Sequence, residues 1–443
     1  MSAVPGRPSR AAVVAALTAY VAVQKGEGLR MALQKALRDA PKLGGQERRF
    51  AAFAAREVLR HQALVDWAAK RLGTAPGSFV MAEDRSLVRY TLWRRLVTRA
   101  AWTKIRDEVK LPGPLRPRTI SDALLEKLAT DSAGELEAES ERLDTSLRHS
   151  FPRWLSDRMG EVVPEAELPF LMAALNQEPA LILRVRPSGT GAQVTAQLAE
   201  EGVGAAALGL GSDGLEIREG GHKVFDTQPF RRGQLQVQDF GSQLIVQLCR
   251  PQAGFLGGRV ADICAGAGGK TLYLADEVGP SGHVLAADTS ARRLEDARER
   301  VREWRLKQVS FQRAPNLAQC DSVLIDAPCS GTGSLAREPD QKWKLSPKAV
   351  DAFAATQAQL LATTARHVRV GGVVVYATCS LLRQENEAQV EQFLERHPAF
   401  VLEPASTVLP EAHEACQGGY LRAFPHRVPG GGFFAARLRR MEV

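Results

Sequence analysis

The 443-residue sequence has no C-x-x-C pair, no regularly spaced histidines and no long apolar run. Its six cysteines are scattered, which argues against both a structural zinc site and a disulfide framework. The eight histidines lack metal-ligand spacing, so we expect no bound metal. No stretch reaches the length of a membrane span. These absences predict a cytoplasmic protein in a reducing compartment, without a membrane partner.

One N-terminal segment looks superficially like a secretory signal peptide. The largely apolar stretch from 11 to 24 follows two arginines, as the apolar part of a signal does. It is rich in alanine, however, and Val14, Leu17 and Val21 have the spacing of a core-facing helix. We therefore predict that this stretch is the first helix of a globular domain.

Basic charge is concentrated at the N-terminal end of the chain. Residues 1–118 contain 23 lysines and arginines against 9 acidic residues, whereas the remainder contains 35 against 41. A basic region attached to a mildly acidic body is typical of proteins that bind a polyanion such as RNA. A solvated basic helical surface is the alternative interpretation of the same charge pattern.

The sequence pattern predicts a multidomain protein with three parts. Residues 1–143 have helical periodicity and few strand signals, which predicts an all-α domain. Residues 144–240 combine helices with short strands, as in a small α+β module. Residues 241–443 alternate strand and helix, which predicts a Rossmann-like α/β domain with a mostly parallel sheet. Its predicted strands are GRVADI, GHVLAAD, QVSFQR, SVLIDA, GGVVVYAT and GGFFAARLR.

Two of these strands lead into loops that contain cysteine. SVLID is followed by DAPCSGTG, with Asp326 and Cys329, and VVVYAT by Cys379. Ligands of open α/β sheets bind at the carboxyl ends of the strands, so both thiols are predicted to lie at the ligand site. A single free cysteine is usually a small buried hydrophobic residue, but the paired context favours covalent chemistry.

A glycine-rich loop, CAGAGGKT, follows the first strand of the α/β domain. Its glycines allow a ligand to approach the backbone, and the following helix N-terminus favours an anionic group. The loop is not a phosphate-binding Walker A motif, because Cys264 stands where that motif needs glycine. The next strand ends at Asp288, whose carboxylate can accept both hydroxyls of a ribose. An adenosine-containing cofactor is predicted, and a tight turn beside a solvated aspartate is the alternative.

The two cysteines decide which chemistry fits such a cofactor. A thiolate can add to C6 of a pyrimidine, which makes C5 nucleophilic enough to take a methyl group from a sulfonium. Loss of the C5 proton and elimination of the thiol then restore the ring. The addition needs a proton donor at N3, and Asp326 is close in sequence to the site.

The motifs resemble, in order, those of the Sun-type RNA cytosine-C5 methyltransferase family. They are CAGAGGKT, ADTSARRL, DAPCSGTGSLAREPDQKW, YATCSLLRQENE and HRVPGGGFFAARL, and the resemblance covers roughly residues 145–443. The N-terminal segment GGQERRFAAFAAREVLRHQALVDWAAKRLG is similar to the helical RNA-binding domain of a transcription antitermination factor. That combination implies the bacterial small-subunit rRNA branch, with free or partly assembled rRNA as partner and a protein that acts as a monomer.

The resemblance also implies a role for each site residue. Cys379 is the nucleophile, Cys329 assists release of the methylated product, and Asp326 contacts the cytosine edge and the methyl-donor site. The resemblance implies that Asp288 binds the ribose of S-adenosylmethionine. It also implies that the glycine loop binds the methionine part of that cofactor, and this loop consists of Cys264, Ala265, Gly266, Ala267, Gly268, Gly269 and Lys270.

The sequence departs from the family pattern at two places. The glycine loop usually reads CAAPGGK, and Gly266-Ala267 replaces Ala-Pro here, which keeps the backbone amides and loosens the loop. The third strand usually ends in an aspartate near the adenine, but this sequence has Arg313 there. We therefore assign no residue to the adenine.

Several alternatives stay open at this point. A tRNA methyltransferase would share these motifs, and so would a non-catalytic RNA-binding protein of ribosome assembly. A DNA cytosine-C5 methyltransferase would use the cysteine of Pro328-Cys329, which leaves Cys379 without a function. Arg337 and Lys342, near the first cysteine loop, either contact RNA phosphate or lie on a solvated surface.

Overall fold

The structure is a computed structural model that describes residues 8–74, 79, 81–111, 115, 119–130, 133–251, 254–313 and 315–442. The chain forms two compact units. The first consists of the described residues up to Asn176 together with Arg337–Lys344, and the second of Gln177–Ala336 and Leu345 onwards. The predicted division into 1–143, 144–240 and 241–443 stays a prediction. Within the described ranges, no helix is long and apolar enough to cross a membrane.

Among the described residues of the first unit, all regular secondary structure is helical. Helices and strands are numbered along the chain. Its helices are α1 (Arg10–Gln24), α2 (Leu29–Arg38), α3 (Gly45–Arg60), α4 (Gln62–Arg71), α5 (Ala82–Leu92), α6 (Trp102–Val109), α7 (Asp122–Thr130), α8 (Ala133–Ser140), α9 (Thr145–Arg148), α10 (Arg153–Gly160), α11 (Leu168–Leu175) and α17 (Gln341–Lys344), with a π-helical turn at Trp93–Val97.

Helix α1 confirms the prediction for the N-terminal apolar stretch. The Ser9 hydroxyl caps it by accepting a hydrogen bond from the Ala12 amide at 3.2 Å. Leu17 and Val21 are buried and Val14 is half-buried, as the spacing predicts. The helix packs within the core of the helical unit rather than standing alone as a signal would.

Part of the basic charge of this unit lies in its interior. Arg89 pairs with Asp66 at 2.7 Å, and Arg94 pairs with Glu108 at 2.7 Å. Both guanidinium groups are almost inaccessible to solvent. The sequence count of basic residues therefore overstates the charge that this unit can present to a polyanion.

The sequence analysis placed Lys342 either on RNA phosphate or on a solvated surface, and both interpretations are wrong. The Lys342 side chain is buried, so neither RNA nor solvent can reach it. Its side chain is 0% exposed, and its Nζ donates to the carbonyl oxygens of Arg60 and Ser150 and to Asn176 Oδ1, at 3.0, 3.0 and 2.8 Å. Burial lowers the pKa of Lys342 well below its usual range. The neighbouring Trp343 donates its indole N–H to the Leu59 carbonyl at 2.9 Å.

The second unit contains two sheets. The smaller one has four strands in the order β2-β3-β1-β4, with antiparallel pairing throughout. Its elements are β1 (Leu181–Val185), α12 (Gly191–Glu200), β2 (Gly204–Ala207), β3 (Gly214–Glu219), α13 (Gln228–Arg231) and β4 (Leu235–Val237). A small apolar core of residues such as Leu183, Val194 and Leu215 lies between this sheet and α12.

The larger sheet has nine strands and confirms the predicted α/β fold. Every strand predicted for the last 200 residues is present, and five adjacent strands, from β9 to the edge strand β7, run parallel. Its elements are α14 (Phe240–Leu248), β5 (Arg259–Ile263), α15 (Gly269–Val278), β6 (His283–Ala287), α16 (Ala291–Glu303), β7 (Val309–Phe311), β8 (Ser322–Asp326), α18 (Pro347–Ala365), β9 (Val373–Thr378), α19 (Glu387–Arg396), β10 (Phe400–Glu403), α20 (Ala405–Val408), β11 (Cys416–Gln417), β12 (Tyr420–Ala423) and β13 (Phe433–Arg440).

The order of the strands determines where a ligand can bind. The sheet reads β11-β12-β13-β9-β8-β5-β6-β7, with β10 paired to β13. From β5 the chain proceeds to β6 and β7 on one side, and later to β8 and β9 on the other. The connections at the carboxyl ends of β5 and β8 therefore diverge, which opens the crevice where ligands of this fold class bind.

Candidate active site

Two cysteine loops meet at the carboxyl edge of the large sheet. Strands β8 and β9 are parallel neighbours, with Asp326 opposite Ala377, so the loops after them begin side by side. The structure brings the sulfurs of Cys329 and Cys379 to 3.4 Å, and both side chains are half-buried. A backbone hydrogen bond from Gly333 N–H to the Cys379 carbonyl, at 2.9 Å, joins the two loops. The two thiols that the sequence predicts at the ligand site are therefore in direct contact with each other.

The two thiols are not equivalent. A hydrogen bond from the Cys329 thiol lowers the pKa of Cys379, burial and Asp326 act against this, and Lys270 supports it. The same hydrogen bond raises the pKa of Cys329 well above its usual range, aided by burial and by the charge of Glu385. When the pair loses one proton, these surroundings favour keeping the remaining proton on Cys329, so Cys379 is the thiol that ionises more readily. Only a thiolate is an effective nucleophile.

Lys270 and Asp326 form an ion pair next to these sulfurs. The ammonium donates to Asp326 Oδ2 at 2.7 Å, with the lysine side chain 11% exposed and the aspartate 33%. Burial disfavours the ammonium, yet the charge of Asp326 and the hydrogen bond to it outweigh burial and raise the pKa of Lys270. The lysine at the end of the glycine loop thus lies at the reacting edge, a link between two distant motifs that the sequence did not reveal.

The glycine loop adopts the backbone shape that a close-bound ligand requires. Cys264, Gly266 and Gly268 have positive φ angles of 66°, 56° and 80°. A Cβ at Gly269 would meet no atom within 4 Å, and one at Gly266 would meet only the Cys264 carbonyl oxygen, at 3.9 Å. The inner face of the loop is therefore open space bounded by backbone. This fits the methionine part of S-adenosylmethionine.

The other members of the loop are fixed from outside. The Ala265 amide donates to the Ala287 carbonyl at 2.9 Å, and Arg300 donates to the Ala267 carbonyl at 2.9 Å. Gln236 and Gln238 donate to the Gly269 carbonyl at 2.7 and 3.2 Å. Those two glutamines, at the end of the small sheet, are contacts that the sequence interpretation missed.

Asp288 faces the glycine loop at the end of β6. Its Oδ2 accepts the Gly266 amide at 2.9 Å and its Oδ1 accepts the Ser290 amide at 2.7 Å. A carboxylate has about four acceptor positions, so two remain for the hydroxyls of a ribose. The geometry fits the predicted contact, and it shows that Asp288 also shapes the loop.

Burial raises the pKa of two further groups in and next to the glycine loop. Burial, aided by Asp288, raises the pKa of the Cys264 thiol to about 12, so this third thiol is not a nucleophile. Burial also raises the pKa of Asp262 to about 7. Asp262 accepts the Thr271 hydroxyl at 2.6 Å, and its other oxygen has no hydrogen-bond partner.

Glu385 is a site residue that sequence analysis did not single out. It lies at the end of a 3₁₀ turn, Arg383–Glu385, and is fully buried between the two cysteine loops. Its position within YATCSLLRQENE gave only a weak signal, a carboxylate placed where a loop leads into a helix. Across the part of the chain that is described, no group of three or more potential ligands could hold a metal ion.

Comparison with known proteins identifies the relatives of this chain. Residues 251–439 match the family described as "16S rRNA methyltransferase RsmB/F", and residues 151–222 match the RsmF/B-like ferredoxin-like domain. The chain is 29% identical over 426 residues to the probable ribosomal RNA small subunit methyltransferase B of Synechocystis, covering 93% of this chain and 95% of the relative.

A second relative and a solved structure agree with that match. The chain is 35% identical over 302 residues to ribosomal RNA small subunit methyltransferase B of Serratia proteamaculans, covering 66% of this chain and 67% of the relative. The crystal structure of the protein PH0851 superposes with a TM-score of 0.73 and 22% identity, over 98% of this chain and 100% of that one. This likeness confirms the fold class.

Proposed function

The chain belongs to the RsmB/F family of small-subunit ribosomal RNA methyltransferases, and from that premise we propose that it methylates C5 of a cytosine in small-subunit rRNA through a covalent cysteine intermediate. The methyl donor of this S-adenosylmethionine-dependent family supplies an electrophilic methyl group when bound. The observation that carries the proposal is the contact between Cys379 and Cys329, beside the Lys270–Asp326 ion pair.

The first step is addition of Cys379 to the ring. Its thiolate sulfur bonds to C6 of the cytosine, and the electron pair of the C5–C6 double bond moves through the ring toward N3, which takes a proton from the Lys270–Asp326 pair. A low pKa is what this step needs, and Cys379 is the thiol whose pKa is lowered. C5 is then the nucleophile that bonds to the methyl carbon.

Asp326 and Lys270 assist the addition as a pair. We assign to Asp326 the contact with the N3–N4 edge of the cytosine, and to the Lys270 ammonium the proton that passes through the Asp326 carboxylate to N3. The ammonium also lies close enough to Cys379 to favour its thiolate. Substitution of either residue should slow the addition.

Cys329 acts at the end of the reaction. After methyl transfer, water takes the C5 proton, the electron pair of that C–H bond forms the C5–C6 double bond, and the bond between Cys379 and C6 breaks. Cys379 leaves as the thiolate, and N3 returns its proton to the Lys270–Asp326 pair, which restores the aromatic ring. Cys329 keeps its proton because its pKa is raised, so it stays a hydrogen-bond donor that favours departure of the Cys379 thiolate. This assigns release to Cys329, as the resemblance implies.

We assign contact with RNA phosphates to the exposed basic face of the first unit. Helix α2 buries Leu29, Leu33 and two alanines and leaves Arg30 and Lys35 exposed. A cleft of about 430 Å³ beside it is also lined by Arg56 and Arg337. All residues of the reacting site come from one chain, so we propose that the protein acts as a monomer.

The test is methyl transfer from labelled S-adenosylmethionine to three purified RNAs. These are unmodified small-subunit rRNA, the same rRNA partly assembled with ribosomal proteins, and bulk tRNA. We expect labelled 5-methylcytosine at one rRNA position, mapped by bisulfite sequencing. Label confined to tRNA would move the protein to the tRNA branch, and binding without label would indicate a non-catalytic assembly factor.

A further inference from the structure

One buried carboxylate links the two cysteine loops. Glu385 is 0% exposed and accepts four hydrogen bonds. The Ser330 amide and hydroxyl donate at 2.8 and 2.5 Å, the Ser380 hydroxyl at 2.5 Å, and Gln357 Nε2 at 3.1 Å. A buried carboxylate with this many donors has its acceptor positions filled, and this fixes its orientation.

The donors to Glu385 are the residues next to the reacting sulfurs. Ser330 follows Cys329 and Ser380 follows Cys379, so one carboxylate fixes the backbone beside both thiols. Thr332 adds to the same cluster, because its hydroxyl lies 3.1 Å from Ser380 Oγ and accepts the Leu381 amide at 2.9 Å. The sulfur separation of 3.4 Å is thus maintained by a hydrogen-bonded cluster that has Glu385 at its centre.

The charge around the thiol pair is asymmetric. Cys329 faces Cys379, Glu385 and the buried Tyr376, whereas Cys379 faces Cys329, Asp326 and Lys270. The negative charge of Glu385 acts mainly on Cys329 and disfavours its ionisation. The cation next to Cys379 favours ionisation there. Both charges direct the shared proton to Cys329.

We propose that Glu385 is a positioning residue that holds the two sulfurs in register and determines which of them is the thiolate nucleophile. This rests on the function proposed above and deepens it. Glu385 does not touch the cytosine; it acts through the loops of Cys329 and Cys379. The alternative is that its hydrogen bonds only stabilise the fold.

Two substitutions separate its charge from its geometry. Glu385→Gln keeps the length and hydrogen-bonding capacity of the side chain, since the serine hydroxyls can rotate to accept from the new amide, but it removes the charge. Glu385→Asp keeps the charge and shortens the reach. Glu387→Gln is the matched control, because Glu387 is buried two residues later and pairs with Arg422 instead of the cysteine loops.

The first readout uses free protein without RNA. Brief treatment with iodoacetamide, followed by mass spectrometry of the cysteine peptides, gives the ratio of label on Cys379 to label on Cys329. We expect label on Cys379 in the native protein, in Glu385→Asp and in the control. In Glu385→Gln we expect Cys329 to take a substantial share, because its ionisation is no longer opposed.

The second readout is single-turnover methylation of rRNA. Glu385→Asp should lower the rate constant by about 100-fold, the effect of misplacing a reacting group by about 1 Å, with unchanged affinity for S-adenosylmethionine. Ser380→Ala removes one donor and no charge, so it should slow turnover without changing the label ratio. It serves as the second variant if Glu385→Gln does not fold.

Three results would overturn the proposal. One is a native label ratio in Glu385→Gln, or, if that variant does not fold, native turnover in Ser380→Ala. A second is turnover in Glu385→Asp equal to that of the native protein. The third is an equal loss in the Glu387→Gln control. Failure of the proposed function gives a different pattern, because the label ratio would still respond to Glu385 while no RNA substrate acquired 5-methylcytosine.

Discussion

At the scale of single residues, the thiols of the site differ in how readily they ionise. Ionisation is favoured at Cys379, whereas burial raises the pKa of Cys264 to about 12 and that of the neighbouring Asp262 carboxyl to about 7. The motifs alone pointed to both cysteines and Asp326, because Asp326 ends an apolar strand and each cysteine lies in the loop that follows such a strand. Lys270 and Glu385 were not predicted in their actual contacts, since their partners lie 56 and 55 residues away in the chain.

Asp262 provides a test of burial through the pH dependence of stability. The pKa of Asp262 rises from 3.8 in the unfolded chain to about 7 in the folded protein. The protonated carboxyl therefore makes its full contribution to the free energy of unfolding below pH 3.8, and this contribution is lost as the pH rises through 7. Asp262→Asn, which stays neutral, should stabilise the protein more at about pH 8.5 than at about pH 5.5, by about 2 kcal/mol. Urea unfolding at both pH values measures this.

The exposed Asp296→Asn controls for the substitution itself, because Asp296 lies on the solvent side of α16. Equal stabilisation by Asp262→Asn at both pH values would show that this carboxyl is not neutral in the folded protein. Its buried surroundings would then tolerate the charge.

Asp288 provides the corresponding test of the cofactor site. Asp288→Ala should weaken binding of S-adenosylmethionine by about 1–3 kcal/mol, because ribose hydroxyls are left unpaired and the Gly266 amide loses its acceptor. Isothermal titration calorimetry measures the change, and Glu295→Ala on the exposed face of α16 is the control. Native affinity in Asp288→Ala would place the ribose contact elsewhere.

At the scale of elements, the strands of the large sheet could be predicted from the sequence, but the burial of the short helix α17 could not. Runs such as VLID and VVVYAT are apolar on both faces, which only a covered parallel strand explains, and each is a strand of the large sheet. The one-turn helix α17 has the sequence QKWK, which resembles a surface segment. Its burial comes from tertiary contacts with residues far away in the chain, which local sequence does not encode.

The insertion Arg337–Lys344 is secured in the helical unit by Lys342. Lys342→Met should destabilise the protein by roughly 2–4 kcal/mol, because three buried oxygens lose their donor. Lys348→Met is the control, since the Lys348 side chain is exposed on α18. Chemical denaturation followed by circular dichroism compares them. A loss in Lys348→Met as large as in Lys342→Met would contradict this account.

At the scale of the whole molecule, charge and chemistry are assigned to different units. The second unit contains the thiols, the ion pair and the glycine loop, and the first contains the excess of basic residues. The sequence predicted this asymmetry but not the share of arginines that burial removes from the surface. A deletion of residues 1–143 would also remove the Arg60 carbonyl that binds Lys342, so surface substitutions are the cleaner test.

Arg30 and Lys35 are suitable for that test, because among the described residues neither has an ion-pair partner. Replacing both with alanine should weaken rRNA binding and reduce the log–log salt slope by about 0.7–0.9 for each RNA phosphate that is no longer neutralised. Arg153 and Arg158 form the control pair, since each is exposed and lies near an acidic residue. Filter binding across a salt series measures the slopes. An unchanged slope would mean that α2 does not contact phosphate.

The central claim is that Cys379 attacks the cytosine while Cys329 releases it. The most direct measurement is mass spectrometry of the covalent complex formed with unmodified rRNA and S-adenosylmethionine. The account predicts that Cys329→Ala accumulates a stable adduct at Cys379, with methylated C5, and that Cys379→Ala forms no adduct and no 5-methylcytosine. An adduct at Cys329, or methylation that persists in Cys379→Ala, would contradict it.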